Sequence, residues 1–445
     1  MPVIQPINAV TYRRPTDGNI SNLIAPPYDV LDEAGKAQLL SRAEQNIAAI
    51  DLPHLPAKTV GPDETYERAG QTYRAWLDAD VLVGRDRAGI FVYRQSYTPA
   101  AEPGRTLRRL GVIVNVGVQP FGPSPNGHGG VYPHEQTFSA PKEDRLKLMR
   151  ATKAQLSPIF GLYSDDDQRV RSELATITAG DPGAFGTTAG DGVLHELWDI
   201  DAPATAARLI DALGKRDVFI ADGHHRYTTA LNYRDELAEA GGGLAASHPA
   251  NFCMFVLVAL EDPAMQVLAT HRVLGGMHRF DFDRFIEAAR GKLRIEPFAG
   301  TDVALLAEAL ATAGPHAIGL YNPARPETPL TLAVTCDDDP LATDFPDRSR
   351  PWRQLDVAIV QHLIVEQICQ PTFCRDGAAI RWHFPHSIEQ LRSLADGPEG
   401  QLGLILQPTP IEAIRQVSQA GELMPQKSTF FYPKLATGLV INSLE

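Results

Sequence analysis

Cysteine is scarce: Cys253, Cys336, Cys369 and Cys374 are the only four, and no two stand as C-x2-C. A disulfide-stapled scaffold is therefore excluded, and reduced, mostly buried thiols are expected. Cys369 and Cys374 come nearest to a metal spacing, yet no histidine or cysteine cluster follows to complete a set of four zinc ligands. Basic charge is short as well, with 41 Lys+Arg against 54 Asp+Glu and a net charge of −13. Such a field repels phosphate backbones and anionic lipid, so neither duplex nucleic acid nor a membrane is an expected partner; a local arginine or lysine pocket still suits a small anion. No run approaches the roughly 20 apolar residues of a spanning helix. The opening MPVIQPINAVTYRRP lacks an apolar signal core, and the expected location is cytoplasmic. Familiar catalytic signatures are missing too: there is no P-loop, no GxSxG elbow and no HExxH.

What is present is a chain of 445 residues, 44% hydrophobic, which exceeds one ordinary core and predicts two or three globular domains. Prolines 2, 6, 15, 26 and 27 keep the first thirty residues extended. Periodicity then predicts helices over 32–43 and 64–77, and strands over 89–97 and 110–118. The loop FGPSPNGHGG at 121–130 is punctuated by glycine and proline and lacks GxGxxG, which makes a dinucleotide site a weak reading. A helix from Pro141 to about Thr152, strands at 157–163 and 193–200, helices at 167–178 and 203–215, and a strand at 218–221 follow. Beyond 246 the pattern continues with strands at 252–260, 267–273, 316–320, 329–335, 380–383 and 402–406, and with helices near 281–291, 302–311, 354–368, 387–394 and 410–419. The fold class expected is α/β with a mixed sheet, divided into a core at 1–245 and a second α/β region at 246–445 whose segment 424–445 returns towards the site.

The chemistry concentrates at Asp222-Gly223-His224-His225-Arg226, where a buried-type strand meets a tight turn and a helix. Backbone N–H groups at a helix start converge on one spot beyond the strand end. Arg226 offers a rigid fork for phosphate, and Gly223 lets an anion approach the backbone. Asp222 suits either Mg²⁺ or the orientation of a histidine, and His225 can carry a proton near neutral pH. The competing interpretation is a capping aspartate beside surface histidines. Zinc held by His224 and His225 with His134 or His271 is a third, disfavoured because adjacent helical residues point apart. Glu135, just after the glycine-rich loop, has the character of a base for a hydroxyl group. Lys142, Arg145 and Lys147 would suit a polyanion, or simply a solvated helix face. Lys427-Ser428-Thr429 supplies oxyanion donors without a preceding glycine loop.

PPYDV at 26–30, YPHEQTF at 132–138, PKEDRLKLMRAT at 141–152, SPIFGLYSD at 157–165, ADGHHRYTTALNYRDE at 221–236, THRVL at 270–274 and MPQKSTFFYPK at 424–434 together resemble the prokaryotic family known as domain of unknown function 1015. More distantly, strand-DGHHRY-helix resembles the phosphate-binding element of the ParB/sulfiredoxin-like fold, which includes small-molecule serine kinases. That resemblance implies a ParB/sulfiredoxin-like core with large insertions and an additional C-terminal α/β region. It assigns nucleotide-phosphate binding and catalysis to Asp222, His225 and Arg226, with Glu135 as base by role. The implied function is a nucleotide-dependent phosphotransferase acting on a small hydroxylated metabolite such as an amino acid. A phosphohydrolase or nucleotide hydrolase, and a nucleotide-gated regulatory protein, are the alternatives. The cofactors expected are Mg²⁺, held by Asp222, and ATP, ADP or CTP, contacted by Gly223, His224 and Arg226 of the motif and, from their residue chemistry, by Arg145, Lys427, Ser428 and Thr429. The partners expected are a small phosphorylated ligand and a small-molecule substrate, with a homodimer left open.

Overall fold

The computed structural model describes residues 2–445 except 101, 125–128, 189, 215, 315, 326–329 and 376–377. The centre of the glycine-proline loop, 125–128, thus lies outside the described residues. The chain forms two compact units, one of residues 1–265 with 433–445 and the other of residues 266–432. The expected boundary at 245/246 shifts, because Phe252–Ala259 is buried along its whole length inside the first unit's sheet.

The first unit is built on a mixed ten-stranded sheet. Its strands are β1 (Ile4–Gln5), β2 (Ile90–Tyr97), β3 (Leu107–Gly117), β4 (Gly122–Pro123), β5 (Gly130–Tyr132), β6 (Ile159–Tyr163), β7 (Ala184–Thr187), β8 (Leu194–Ile200), β9 (Val218–Asp222) and β10 (Phe252–Ala259). The order is β7-β8-β2-β3-β10-β6-β9-β5-β4, with β1 on β3. β10 pairs antiparallel with β3, from Phe252↔Gly117 to Val258↔Gly111, and parallel with β6, where Phe255 meets Ile159. A strand held on both sides and covered on both faces reads as an unbroken apolar run, which is why FCMFVLVA shows no alternation. β9 runs antiparallel to β6 and parallel to β5. Val92, Val112, Val114, Ile220, Phe255 and Leu257 of the sheet share one core with Leu146, Met149, Leu209, Leu213, Tyr227 and Ala230 of the covering helices.

Those helices follow the expected positions closely: α1 (Glu33–Arg42), α2 (Asp63–Asp78), α3 (Ser139–Thr152), α4 (Arg169–Ile177), α5 (Pro203–Leu213) and α6 (His224–Gly241). Asp32 caps α1 by accepting from the Gly35 N–H at 2.7 Å. α6 ends where Gly242 turns left-handed at φ 68° and returns its N–H to the Ala238 carbonyl. The extended opening also supplies Ala9–Tyr12 to a smaller four-stranded sheet that includes the C-terminal strand Ile441–Ser443.

The second unit carries a six-stranded sheet of β11 (Arg272–Gly275), β12 (Leu293–Pro297), β13 (Ala317–Tyr321), β14 (Leu330–Thr335), β15 (Arg381–His383) and β16 (Leu402–Ile405), ordered β12-β14-β13-β16-β11-β15. Two expectations change here. The strand expected over 267–273 divides into Gln266–Leu268, which pairs with Phe430–Tyr432, and β11, which joins the six-stranded sheet. The helix expected over 354–368 is α-helical only over Asp356–Ile359, then π-helical over Val360–Cys369 before a last α-turn at Gln370–Phe373. Among the described residues, no helix is long and apolar enough to cross a membrane.

Candidate functional site

β5 and β9 are parallel neighbours, Val131 facing Val218 and Tyr132 facing Phe219. Their carboxyl ends therefore open at the same edge, the place where ligands collect in open α/β sheets. Pro133-His134-Glu135 leaves one strand there and Asp222-Gly223 leaves the other. The β6–β9 register shifts between Ile220 and Asp222, and such a bulge re-aims the side chain at its end. Gly223 then takes φ 97°, and α6 begins at His224. A left-handed turn this tight suits glycine; a Cβ at Gly223 would also lie 3.0 Å from the Arg226 guanidinium carbon.

Asp222 is held by two cations. Arg226 donates through NH2 to Oδ2 at 2.9 Å, one helical turn on, and Lys434 brings Nζ to 3.5 Å from Oδ1. Burial raises the Asp222 pKa, but Lys434 and Arg226 outweigh it and hold the carboxyl well below its ordinary range. A second carboxylate joins it. Asp29, in the 3-10 turn Tyr28–Val30, is paired with Lys58 at 3.0 Å. Burial and the Asp222 charge both oppose its ionisation, yet Lys58, Lys434 and Arg226 prevail and lower its pKa. Lys58 itself sits at φ 67°, a left-handed conformation that costs a side-chain-bearing residue about 1–2 kcal/mol. Among the described residues, the buried Oδ1 of Asp29 has no hydrogen-bond partner. An orphaned buried carboxylate oxygen is a position that a water, an ion or a ligand group would complete.

The three histidines divide their labour. His134 holds Nδ1 2.8 Å from the Ile220 carbonyl, and its backbone N–H donates to His224 Nε2 at 3.2 Å. Burial pushes the pKa of both rings down, so both are neutral and each carries its proton on Nδ1. They lock the two strand exits together, ring centroids 4.6 Å apart and edge to face. His225 Nε2 accepts the Phe138 N–H at 3.0 Å, with the two rings stacked. Burial lowers its pKa as well, and the occupied Nε2 lone pair puts its proton on Nδ1. His225 is thus a preset donor more readily than a base. Glu135 is half-buried on the same exit and acts electrostatically on both His134 and His225.

Several expected ligand contacts fall elsewhere. The Arg226 guanidinium is only 12% exposed; besides Asp222 it bonds the Pro158 carbonyl, and it lines a cavity of about 40 Å³, too small for any nucleotide. Its fork is engaged by Asp222 and the Pro158 carbonyl. Arg145 is buried too: it donates to Asp144 at 2.8 Å and to the Asp51 carbonyl at 2.7 Å, and lies 3.8 Å over the Tyr28 ring. It forms a buried ion-pair cluster with Asp144 and Asp51. Lys147 pairs with Asp63 at 2.5 Å. Lys427, Ser428 and Thr429 belong to the second unit, where Ser428 donates to the Pro425 carbonyl and accepts Thr409 Oγ1 on its own carbonyl. His271 also lies in that unit, its Nδ1 accepting the Leu406 N–H at 3.1 Å. Among the described residues, no group of three or more His, Cys, Asp or Glu side chains is placed to hold a metal.

Sequence reasoning did not single out Asp29, Lys58 or Lys434 as site residues. Asp29 and Lys434 stand inside the PPYDV and MPQKSTFFYPK segments, which was the available signal; Lys58 had none.

A model of the DUF1015 family, described as a protein of unknown function, matches residues 4–358, and the chain belongs to that family. No curated protein matches. Solved structures show a loose likeness. A free serine kinase in complex with AMP is 13% identical with a TM-score of 0.31, covering 68% of this chain and 83% of its own. A conserved hypothetical protein from Pyrococcus furiosus is 14% identical, TM-score 0.31, covering 68% and 88%. A C-terminally truncated SbnI from Staphylococcus aureus is 10% identical, TM-score 0.32, covering 69% and 82%.

Proposed function

We propose that this chain binds a nucleotide with Mg²⁺ at the shared edge of β5 and β9 and transfers a phosphoryl group to a small hydroxylated metabolite, on a core of the ParB/sulfiredoxin-like type. The observation that carries the proposal is the ionised pair Asp29 and Asp222, ringed by Lys58, Lys434 and Arg226, with Asp29 Oδ1 lacking a hydrogen-bond partner among the described residues. Mg²⁺ takes one or two protein carboxylates and completes its shell with phosphate oxygens and water, so Asp29 and Asp222 would hold it and it would neutralise charge developing on the phosphates.

The residues of the chain supply the remainder. Lys58, paired with Asp29, and Lys434, beside Asp222, would supply positive charge and charge-assisted donors to the phosphate groups of a bound nucleotide. α6 begins at His224 just beyond the end of β9, so its first N–H groups are available to an anion at that strand end. Arg226 keeps Asp222 in place, and His225 presents its Nδ1–H to a phosphate or acceptor oxygen. Glu135 takes the acceptor's hydroxyl proton as that oxygen forms its bond to phosphorus and the bond to the nucleoside diphosphate breaks.

The test is calorimetric titration of the metal-stripped chain with ADP, ATP and CTP, with and without Mg²⁺, beside Asp29→Asn. The expected result is saturable binding that Mg²⁺ tightens at least tenfold in the wild type and not in the variant. Phosphorus NMR of ATP with hydroxylated amino acids then reads transfer. No binding of any nucleotide overturns the proposal; binding without transfer or hydrolysis moves it to a nucleotide-gated regulator.

A further inference from the structure

The second unit contains a cavity of about 680 Å³ that the phosphotransfer site does not use. This is the size range of small-molecule sites, about 300–1,000 Å³. Prolines 351, 408 and 410 with Leu355 and Ala413 make most of its wall apolar. Its polar part is assembled with unusual care around His316.

His316 is only 6% exposed and stands at φ 59°. A left-handed conformation is disfavoured for a residue with a side chain, and such strain persists where surrounding contacts impose it. Those contacts are identifiable. Nδ1 lies 2.9 Å from Asp356 Oδ1, and Nε2 lies 3.0 Å from Gln354 Oε1. The Gln354 amide cannot be reversed, because its Nε2 donates to the Asp338 carbonyl at 2.7 Å. Both ring nitrogens therefore face acceptors, and the ring is an imidazolium with a proton on each. Burial opposes that charge, but the bonds to Asp356 and Gln354 prevail and raise the pKa.

The charges around the cavity are then uneven. The His316 cation is matched by Asp356. The Glu412 carboxylate is already bound by Arg415 at 2.5 Å and Gln416 at 2.8 Å. Asp339, just outside, is gripped by Arg353 through Nε at 3.1 Å and Nη2 at 2.8 Å. Arg350 lines the cavity, is exposed, and forms no ion pair among the described residues. Arg350 acts at longer range on Asp339, which Arg353 already binds, so a guanidinium without an ion-pair partner among the described residues lines an apolar chamber and is complementary to a ligand with an anionic head and an apolar body.

We infer that this cavity is a separate binding site for a small organic anion, with its carboxylate or phosphate on Arg350 and its apolar body against the proline and Ala413 wall, braced by the His316–Asp356–Gln354 triad. The site is independent of the phosphotransfer reading and stands or falls without it.

The experiment uses the full chain with benzoate and phenyl phosphate as probes, followed by saturation-transfer NMR. Arg350→Gln removes the charge at an exposed position, and Ala413→Phe fills the chamber. Saturable binding of either probe, weakened at least fivefold by both substitutions, supports the site; benzoate alone assigns a carboxylate head, phenyl phosphate alone a phosphate, and both together either head. Failure of both probes to bind, or affinity unaltered in either folded variant, overturns it. Should Ala413→Phe not fold, Arg350→Gln decides.

Discussion

The ammonium of Lys434 lies 3.5 Å from Oδ1 of Asp222, joining the last segment of the first unit to the end of β9. Its carbonyl is meanwhile fixed by Gln95 Nε2 at 2.8 Å, so the side chain can be changed without freeing the backbone. Lys434→Gln is expected to weaken nucleotide affinity about tenfold, some 1.4 kcal/mol. It also removes the first of the cations that lower the Asp222 pKa, so the Asp222 acid transition, followed by carbon-13 NMR of the carboxyl, moves to higher pH. An Asp222 transition that stays in place would separate the two residues electrostatically.

Gly223→Ala tests the turn. The substitution demands a Cβ at φ 97° and 3.0 Å from the Arg226 guanidinium carbon. A loss of about 1–2 kcal/mol in urea unfolding is expected from the backbone alone. Because Arg226 must move, Asp222 loses its partner as well, and nucleotide affinity falls further than stability does. A variant as stable as wild type would show that the turn tolerates a side chain.

Arg145→Leu distinguishes a buried ion pair from a ligand contact. Removing the guanidinium takes the arginine charge from buried Asp144 and Asp51, which keep only His54, Tyr66 and Ser157 as side-chain partners, and a loss of about 3 kcal/mol is expected. Affinity per folded molecule should change far less than in Lys434→Gln. A preserved melting temperature with lost nucleotide binding would return Arg145 to the ligand site.

Stability should fall on mild acidification. His195 is fully buried between Tyr93 Oη at 2.6 Å and Thr188 Oγ1 at 2.9 Å. Burial, helped by Arg109, lowers its pKa to about 3, against about 6.5 in the unfolded chain. Above pH 6.5 neither state binds the proton and full stability is present. Below it the unfolded state gains a proton that the folded state refuses, so stability declines continuously towards pH 3. His271, lowered to about 4 by burial and then by Arg272 and His386, adds the same sign in the second unit. The urea midpoint measured from pH 7.5 to 5 should fall, and fall less steeply in His195→Gln. Equal slopes would mean that His195 titrates normally.

The strand, turn and helix at 218–241 were legible because each is determined locally. Val-Phe-Ile-Ala favours an extended buried strand, Asp-Gly stops it, and Ala, Leu, Glu and Arg propagate the helix until Gly241-Gly242. The Asp32 cap was readable for the same reason. The break between Gln266–Leu268 and Arg272–Gly275 was not, because both halves are β-prone and only their different partner strands separate them.

The sequence by itself thus determined where backbone groups and an aspartate would be presented, since propensity, capping and glycine's left-handed turn act within a few residues. Tertiary structure alone decided which charges meet there. Asp29, Lys58 and Lys434 reach Asp222 from three separate segments, and Arg226 and Arg145 turn inward to carboxylates, because long-range strand pairing and desolvation select partners that no local pattern records.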